Sequence, residues 1–324
     1  MVLAGGEGTR LQPLTMAQAK PAVGFAHGVR IVDFVLSNLV NSQVERICLL
    51  VQYKPESLIE HVNRAWNPWL ADWAPEVEVL SAASAAGGTP YRGTAEAVHR
   101  NLALIEDYEP DLVAVFAADH VYRMDVRQMA DFHDAQDAEV SVAAVRVPIE
   151  HASSFGIIRT ADDGRILAFD EKPAHPAPLA GAPARAFASM GNYLFEPGAL
   201  AELLEQTLRS GGTDFGRHMM PRLAAGGHRA YAYDFALNEV PGVAPYEERG
   251  YWRDVGTLDA LAAARRDIEG TPPRFRLTNS AWPLRFDRRT GQDMLPMRAL
   301  VARADANCAR SPVVPLAETA PKLR

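Results

Sequence analysis

Apolar and polar positions alternate in two rhythms along this chain. Short apolar runs of strand length lie at Val2–Ala4, Arg46–Val51, Val77–Leu80, Leu112–Ala117 and Val140–Val147. Between them the apolar residues recur every three or four positions. Ile31, Val35, Leu36 and Leu39 predict a helix over Ile31–Asn41. Ala97, Val98, Leu102 and Ile105 predict another over Thr94–Ile105, with Thr94 as its N-cap. Glu56–Arg64 follows Pro55, which suits a first helical turn, and Val126–Gln136 is a further helix. Strands alternating with helices predict an α/β fold with a largely parallel sheet covered on both faces.

After Pro148 the rhythm loosens. Strands are predicted at Gly156–Arg159, Ile166–Glu171, Gly191–Phe195 and Arg229–Phe235. Helices are predicted at Gly198–Leu208, Arg217–Ala225 and Thr257–Ile268, and the proline-rich Ala174–Pro183 reads as a loop. Thr271-Pro272-Pro273 reads as a linker. The chain therefore divides into a large unit, residues 1–270, and a short C-terminal stretch, residues 271–324, of weak periodicity and irregular composition. No internal repeat is visible.

Composition narrows the class. The 324 residues are 48% hydrophobic and 23% charged, enough to bury a sizeable core and unlike a disordered chain. The net charge is −7 and Lys and Arg form no run, which argues against nucleic acid as a partner. No apolar run approaches the roughly 20 residues of a membrane span. Val2–Ala4 is too short for a signal peptide. Cys48 and Cys308 are too few for a disulfide scaffold or a cysteine zinc site, and Cys48, inside Ile47–Val51, reads as a buried thiol. The expected compartment is the cytoplasm.

The chemistry is concentrated near the start. The strand Val2–Ala4 runs into Gly5-Gly6-Glu7-Gly8-Thr9-Arg10, and Lys20-Pro21 follows. A glycine-rich turn lets backbone N–H groups approach phosphates without a Cβ in the way. No Gly-Lys-Ser/Thr follows, so this is not a Walker loop, and Leu11 stands where a dinucleotide fingerprint has its third glycine. Arg10 and Lys20 can stabilise charge on a phosphoryl group in transfer. Asp119 follows an apolar strand, and a carboxylate at such a strand end faces the ligand crevice of an open α/β sheet. By spacing alone, Asp119 and Asp254 read either as turn or cap residues or as oxygen ligands of one Mg²⁺. His120 has no companion His or Cys at metal spacing. Glu171-Lys172 reads by itself as a solvated charge pair.

The run LAGGEGTRLQPLT-MAQA-KPA resembles the nucleotide-binding signature of the sugar-1-phosphate nucleotidyltransferases. RIVDFVLSNLVNS, YRGTAEAV, ADHVYRMD, VPIEHASSFGII, FDEKP, ASMGNYLF, TDFGRHMMP and YWRDVGT follow in order, and are similar to the glucose-1-phosphate adenylyltransferase branch of that family. The resemblance covers roughly residues 1–285. It implies a Rossmann-like nucleotidyltransferase domain with a mixed, mostly parallel sheet and a short C-terminal tail. The implied reaction passes AMP from ATP to glucose 1-phosphate, releasing pyrophosphate, with Mg²⁺ as cofactor. The alternatives are another nucleotide or sugar phosphate, or a low-activity regulatory paralogue.

The resemblance also implies roles. Arg10, Lys20 and Asp119 are the catalytic set, and Asp119 and Asp254 the metal ligands. Gly5, Gly6, Gly8, Thr9, Gln52, Tyr91, Gly93 and Thr94 belong to the nucleotide site. Gly156, Glu171, Lys172, Ser189 and Asp214 belong to the sugar-phosphate site. Four departures stand out. Glu7 lies inside the phosphate loop, where a carboxylate repels a triphosphate unless it points away. Ala118 stands where the family has glycine, at a cost on the order of 1 kcal/mol if φ must be positive there. Met1 falls inside the first strand, and the C-terminal stretch has room only for a remnant of the family's β-helix. A homo-oligomer weakened by that loss is the expected assembly.

Overall fold

The computed structural model describes residues 1–67, 76–83 and 88–286. The expected β-helix remnant beyond Phe286 lies outside the described residues. The strands are β1 (Val2–Ala4), β2 (Gly24–Ala26), β3 (Val29–Arg30), β4 (Arg46–Val51), β5 (Glu76–Ser81), β6 (Val113–Ala117), β7 (His120–Tyr122), β8 (Val140–Pro148), β9 (Gly156–Thr160), β10 (Ile166–Glu171), β11 (Arg185–Phe195), β12 (Ala230–Asp234) and β13 (Trp252–Asp254).

The central sheet runs β10-β9-β11-β6-β1-β4-β5, with β8 on β11 and β12 on β8. Its β5-β4-β1-β6 half is all parallel. Residues such as Val2, Ile47, Leu49, Leu50, Val115 and Phe116 are buried there, as strands covered on both faces require. β11 enters antiparallel to β6. Because β1 and β6 are parallel neighbours, the loops after Ala4 and Ala117 leave the same edge of the sheet. That places the glycine-rich turn beside Asp119.

The helix Ile31–Asn41 spans the predicted residues and buries nearly its whole length. Glu56–His61 continues into a π turn, Val62–Trp66. The predicted helix Thr94–Ile105 is instead two, Thr94–His99 and Leu102–Tyr108. Asn101 ends the first: its amide donates to Ala97 O (2.8 Å) and to Tyr91 Oη (3.0 Å). Gly93, not Thr94, is the N-cap residue of the first. The expected helix Arg217–Ala225 is likewise split, into a π turn Phe215–Met219 and Arg222–Ala225. Pro221, which lacks an N–H, separates them.

Among the described residues, three apolar clusters form the core. Two lie on the faces of the sheet, and Cys48 is a buried free thiol. The third gathers Leu11, Phe25, Phe34, Tyr251, Val255, Leu261 and Phe275 beneath the glycine-rich turn. After Thr271-Pro272-Pro273 the chain packs back on the large unit. Phe275 and Trp282 are buried, Asn41 donates to Pro283 O (3.0 Å), and Arg285 N donates to Ser37 Oγ (2.9 Å). Among the described residues, no helix is long and apolar enough to cross a membrane.

Candidate active site

The glycine-rich turn is closed by its own polar groups. Gly8 has φ +71°, a left-handed value suited to glycine. A Cβ there would lie 2.9 Å from Thr15 Cγ2 and 3.1 Å from Lys20 Cβ. Thr15 Oγ1 donates to Gly8 O (2.8 Å), and a single 3₁₀ turn, Thr9–Leu11, follows and buries Leu11. Lys20 opens a second 3₁₀ turn, Lys20–Ala22. Ala19 N donates to Ser57 Oγ (2.9 Å), and Arg30 Nη1 donates to Ala22 O (2.9 Å), so this segment is held on both sides.

The second wall is a two-stranded ribbon that the sequence did not announce. β7 and β13 pair antiparallel, with Asp254 opposite His120. Donor atoms of Asp119, His120 and Asp254 lie within 4.8 Å of one another. Arg253 locks the ribbon from its other face. Its guanidinium meets Glu248 through Nη1 (3.0 Å) and Nη2 (2.8 Å), and Asp267 through Nε (3.0 Å). Alternation along a strand then turns Asp254 the opposite way.

The residues expected to be catalytic converge here. Lys20 Nζ donates to Asp119 Oδ2 at 2.5 Å, with the lysine side chain only 8% exposed. A Cβ at Gly256 would lie 2.9 Å from Asp254 Oδ1, 3.1 Å from an Arg10 guanidinium nitrogen and 3.4 Å from Lys20 Nζ. Two cations and two carboxylates therefore share one locus. Burial pushes the Asp119 carboxyl up, but the Lys20 ammonium, His120 and hydrogen bonds outweigh it and hold it well below the usual carboxylate range. The donor set suits a hard divalent cation: two carboxylates with oxygens within 4.8 Å of each other. His120, for which the sequence showed no metal-binding companion, sits in the same locus, its Nε2 3.5 Å from Asp119 Oδ1 and its ring 4.9 Å from that of Trp252.

Ala118 is buried and its N–H donates to Leu3 O (3.1 Å). It is not among the residues of positive φ, so the alanine adds no backbone strain. Glu7 is exposed. It lines a cavity of about 270 Å³ together with Gly5, Gly6, Gln52, Tyr91, Gly93, Thr94 and Asp214. Arg10, Lys20 and Asp119 lie outside that lining. Asp214, expected at the sugar phosphate, thus joins the cavity wall of the expected nucleotide residues. Thr94 Oγ1 donates to Asp214 Oδ2 (3.0 Å) and accepts from Phe215 N (2.9 Å).

Gly93 is a close-approach glycine: a Cβ would lie 2.4 Å from Thr213 O. That carbonyl receives Ala95 N and Glu96 N, the second and third N–H groups of the helix. We expect Gly93→Ala to lower the unfolding free energy by about 2 kcal/mol, through overpacking. Urea titration measures it.

The sugar-phosphate candidates form the other flank. Glu171 ends β10, and a Cβ at Gly156 or at Gly216 would lie 3.0 Å or 2.6 Å from its Oε2. Lys172 has φ +48° and is exposed, its Nζ 3.2 Å from Glu171 Oε1. Ser189 lies on β11, just before a bulge at Gly191, and its Oγ accepts from Gly191 N (3.2 Å).

The nucleotidyl transferase family profile matches residues 1–271. The chain belongs to that family. It is 48% identical over 291 residues to a protein of Thermodesulfovibrio yellowstonii, covering 90% of this chain and 71% of the relative. It is 48% identical over 290 residues to one of Anaeromyxobacter sp., covering 88% and 69%. A Thermus thermophilus protein is 44% identical over 296 residues, covering 88% and 70%. All three relatives bear the name glucose-1-phosphate adenylyltransferase. In this nucleotidyl transferase the Gly-rich turn follows β1 directly.

Proposed function

We propose that the protein is a glucose-1-phosphate adenylyltransferase, making ADP-glucose and pyrophosphate from ATP and glucose 1-phosphate. The relatives' shared name supports the reaction. The observation that carries it is the single locus where Arg10, Lys20, Asp119 and Asp254 meet. In the family context this serves α-glucan synthesis.

The reaction needs position and charge rather than a base. The glucose 1-phosphate oxygen is already an anion, so its attack on the α-phosphorus abstracts no proton. The P–O bond to the β-phosphate breaks, and the electron pair leaves with pyrophosphate. Arg10 and Lys20 stabilise the charge that develops on the α-phosphoryl oxygens. Asp119 and Asp254 are the residues that would hold Mg²⁺, which when bound neutralises phosphate charge and polarises the α-phosphoryl group. Lys20, already held by Asp119, is oriented before substrate arrives. The cavity lined by Gln52 and Tyr91 takes the nucleoside, with Gly5, Gly6, Gly8 and Thr9 offering backbone to the phosphates. Glu7 lines that same cavity. Gly156, Glu171, Lys172 and Ser189 take the sugar phosphate, and Asp214 stands between the two.

Incubation with ATP, glucose 1-phosphate and Mg²⁺ should give ADP-glucose and pyrophosphate in equal amounts, as read by mass spectrometry and phosphate release. Absence of ADP-glucose overturns the reading. Lys172→Ala should raise the KM for glucose 1-phosphate by about tenfold or more and that for ATP by far less, because a lysine on a dianion contributes uniform ground-state binding. Initial-rate kinetics with each substrate varied in turn measures the split.

A further inference from the structure

One turn touches both candidate substrate pockets. On the nucleotide side, Thr213 O receives Ala95 N (2.9 Å) and Glu96 N (3.2 Å), while Asp214 and Phe215 grip Thr94 Oγ1. On the other side, Gly216 passes so close to Glu171 that a Cβ would lie 2.6 Å from the carboxylate. A shift of this turn would move the wall at Gly93–Thr94 and the cover over Glu171 together.

A histidine side chain holds the turn's own N–H groups. His218 Nδ1 lies 3.1 Å from Thr213 N and 3.1 Å from Asp214 N. Both partners are backbone N–H groups, which only donate, so Nδ1 accepts and the neutral ring carries its proton on Nε2. Among the described residues neither N–H has another acceptor. His218 N in turn donates to Asp214 O (3.1 Å), so backbone and ring close on the same two residues. A Cβ on Gly212 would lie 2.7 Å from His218 Cβ, which leaves the ring little freedom to withdraw. His218 does not line the cavity, so it does not touch the nucleotide itself.

We propose that His218 is a positioning residue that sets both substrate pockets at once, by bracing the Thr213–Gly216 turn between them. The proposal rests on the substrate assignment made above. Its physical content is that two otherwise unpartnered N–H groups are held by one neutral ring nitrogen, and that the turn so fixed is shared. Loss of the acceptor loosens the turn, and each substrate must then order it on binding.

The test compares His218→Ala with His218→Asn, whose Oδ1 can occupy the place of Nδ1 and accept both bonds. Initial-rate kinetics with ATP and glucose 1-phosphate should show KM raised about tenfold for each substrate in the Ala variant, with kcat within about threefold. The Asn variant should lie within about twofold of the unmodified protein in both KM values. Unchanged KM values in His218→Ala, a change confined to one substrate, or an Asn variant as impaired as Ala would each overturn the proposal. If the Ala variant does not fold, His218→Gln replaces it, since its acceptor sits one bond farther out. A second readout needs no turnover: ¹⁵N NMR of the histidine rings should show His218 protonated at Nε2. A ring protonated at Nδ1 overturns the proposal. Absence of turnover with every nucleotide would overturn the substrate assignment instead, while the ring spectrum still decides the brace.

Discussion

Asp119→Asn should remove nearly all turnover, about 10³-fold or more in kcat, because it takes one of two carboxylates from the locus where the phosphates must be neutralised. Asn keeps the volume and one oxygen, so the loss reads charge rather than shape. Lys20 keeps a neighbouring carboxylate, since it and Asp254 approach the same point at Gly256. The thermal unfolding transition should therefore stay cooperative. Asp254→Asn should be similarly impaired, and the double variant should lose no more than the worse single one, because groups that hold one ion act as a unit. Binding of Mn²⁺, followed by electron paramagnetic resonance, separates a metal defect from a folding defect. Normal turnover in either single variant contradicts the metal assignment.

Lys20→Gln should cost about 10²- to 10³-fold in kcat, the scale of removing one preorganised donor from a developing oxyanion. The ammonium is buried, ion-paired with Asp119, and carried on a segment fixed by Ser57 and Arg30. Such a group is already oriented when substrate binds, so its loss appears in kcat more than in KM. Lys20→Arg should recover only part of the rate, since a planar fork does not fit where a compact ammonium meets Asp119. Single-turnover measurement at saturating substrates reads the chemical step directly. A Gln variant with unchanged single-turnover rate would show that Lys20 only pairs with Asp119.

The parts of the fold legible in the sequence were those with long enough apolar periods. Ile31–Asn41 and Arg46–Val51 match the structure residue for residue, the first because eleven residues show a helical period and the second because it is a continuous apolar run of strand length. The hairpin β2–β3 and the ribbon β7–β13 were missed because strands of two or three residues show no period, whereas the equally short β1 is marked by the glycine-rich turn after it. That gap mattered, since the ribbon is what brings Asp254 to His120. The break at Asn101 was hidden for another reason: the amide's pull on Tyr91 Oη is a tertiary contact, and the apolar positions on either side keep helical spacing.

The site divides in the same way. Arg10, Lys20 and Asp119 were readable because glycine punctuation and a strand end mark them locally. Arg253 and His218 were not, although both lie inside quoted motifs. Their partners Glu248, Asp267, Thr213 and Asp214 become meaningful only when the chain is folded. Glu7, a charge the sequence places inside the phosphate loop, lines the cavity with Gly5, Gly6 and Gln52.

The central claim is that one locus of two cations and two carboxylates joins an adenine nucleotide to a glucose phosphate. The most direct measurement is pyrophosphate release by the purified protein with Mg²⁺, crossing ATP, GTP, CTP, UTP and dTTP against glucose 1-phosphate and N-acetylglucosamine 1-phosphate. The account predicts that ATP with glucose 1-phosphate exceeds every other pair by about tenfold or more in kcat/KM. A different pair in first place, or no release from any pair, would contradict it.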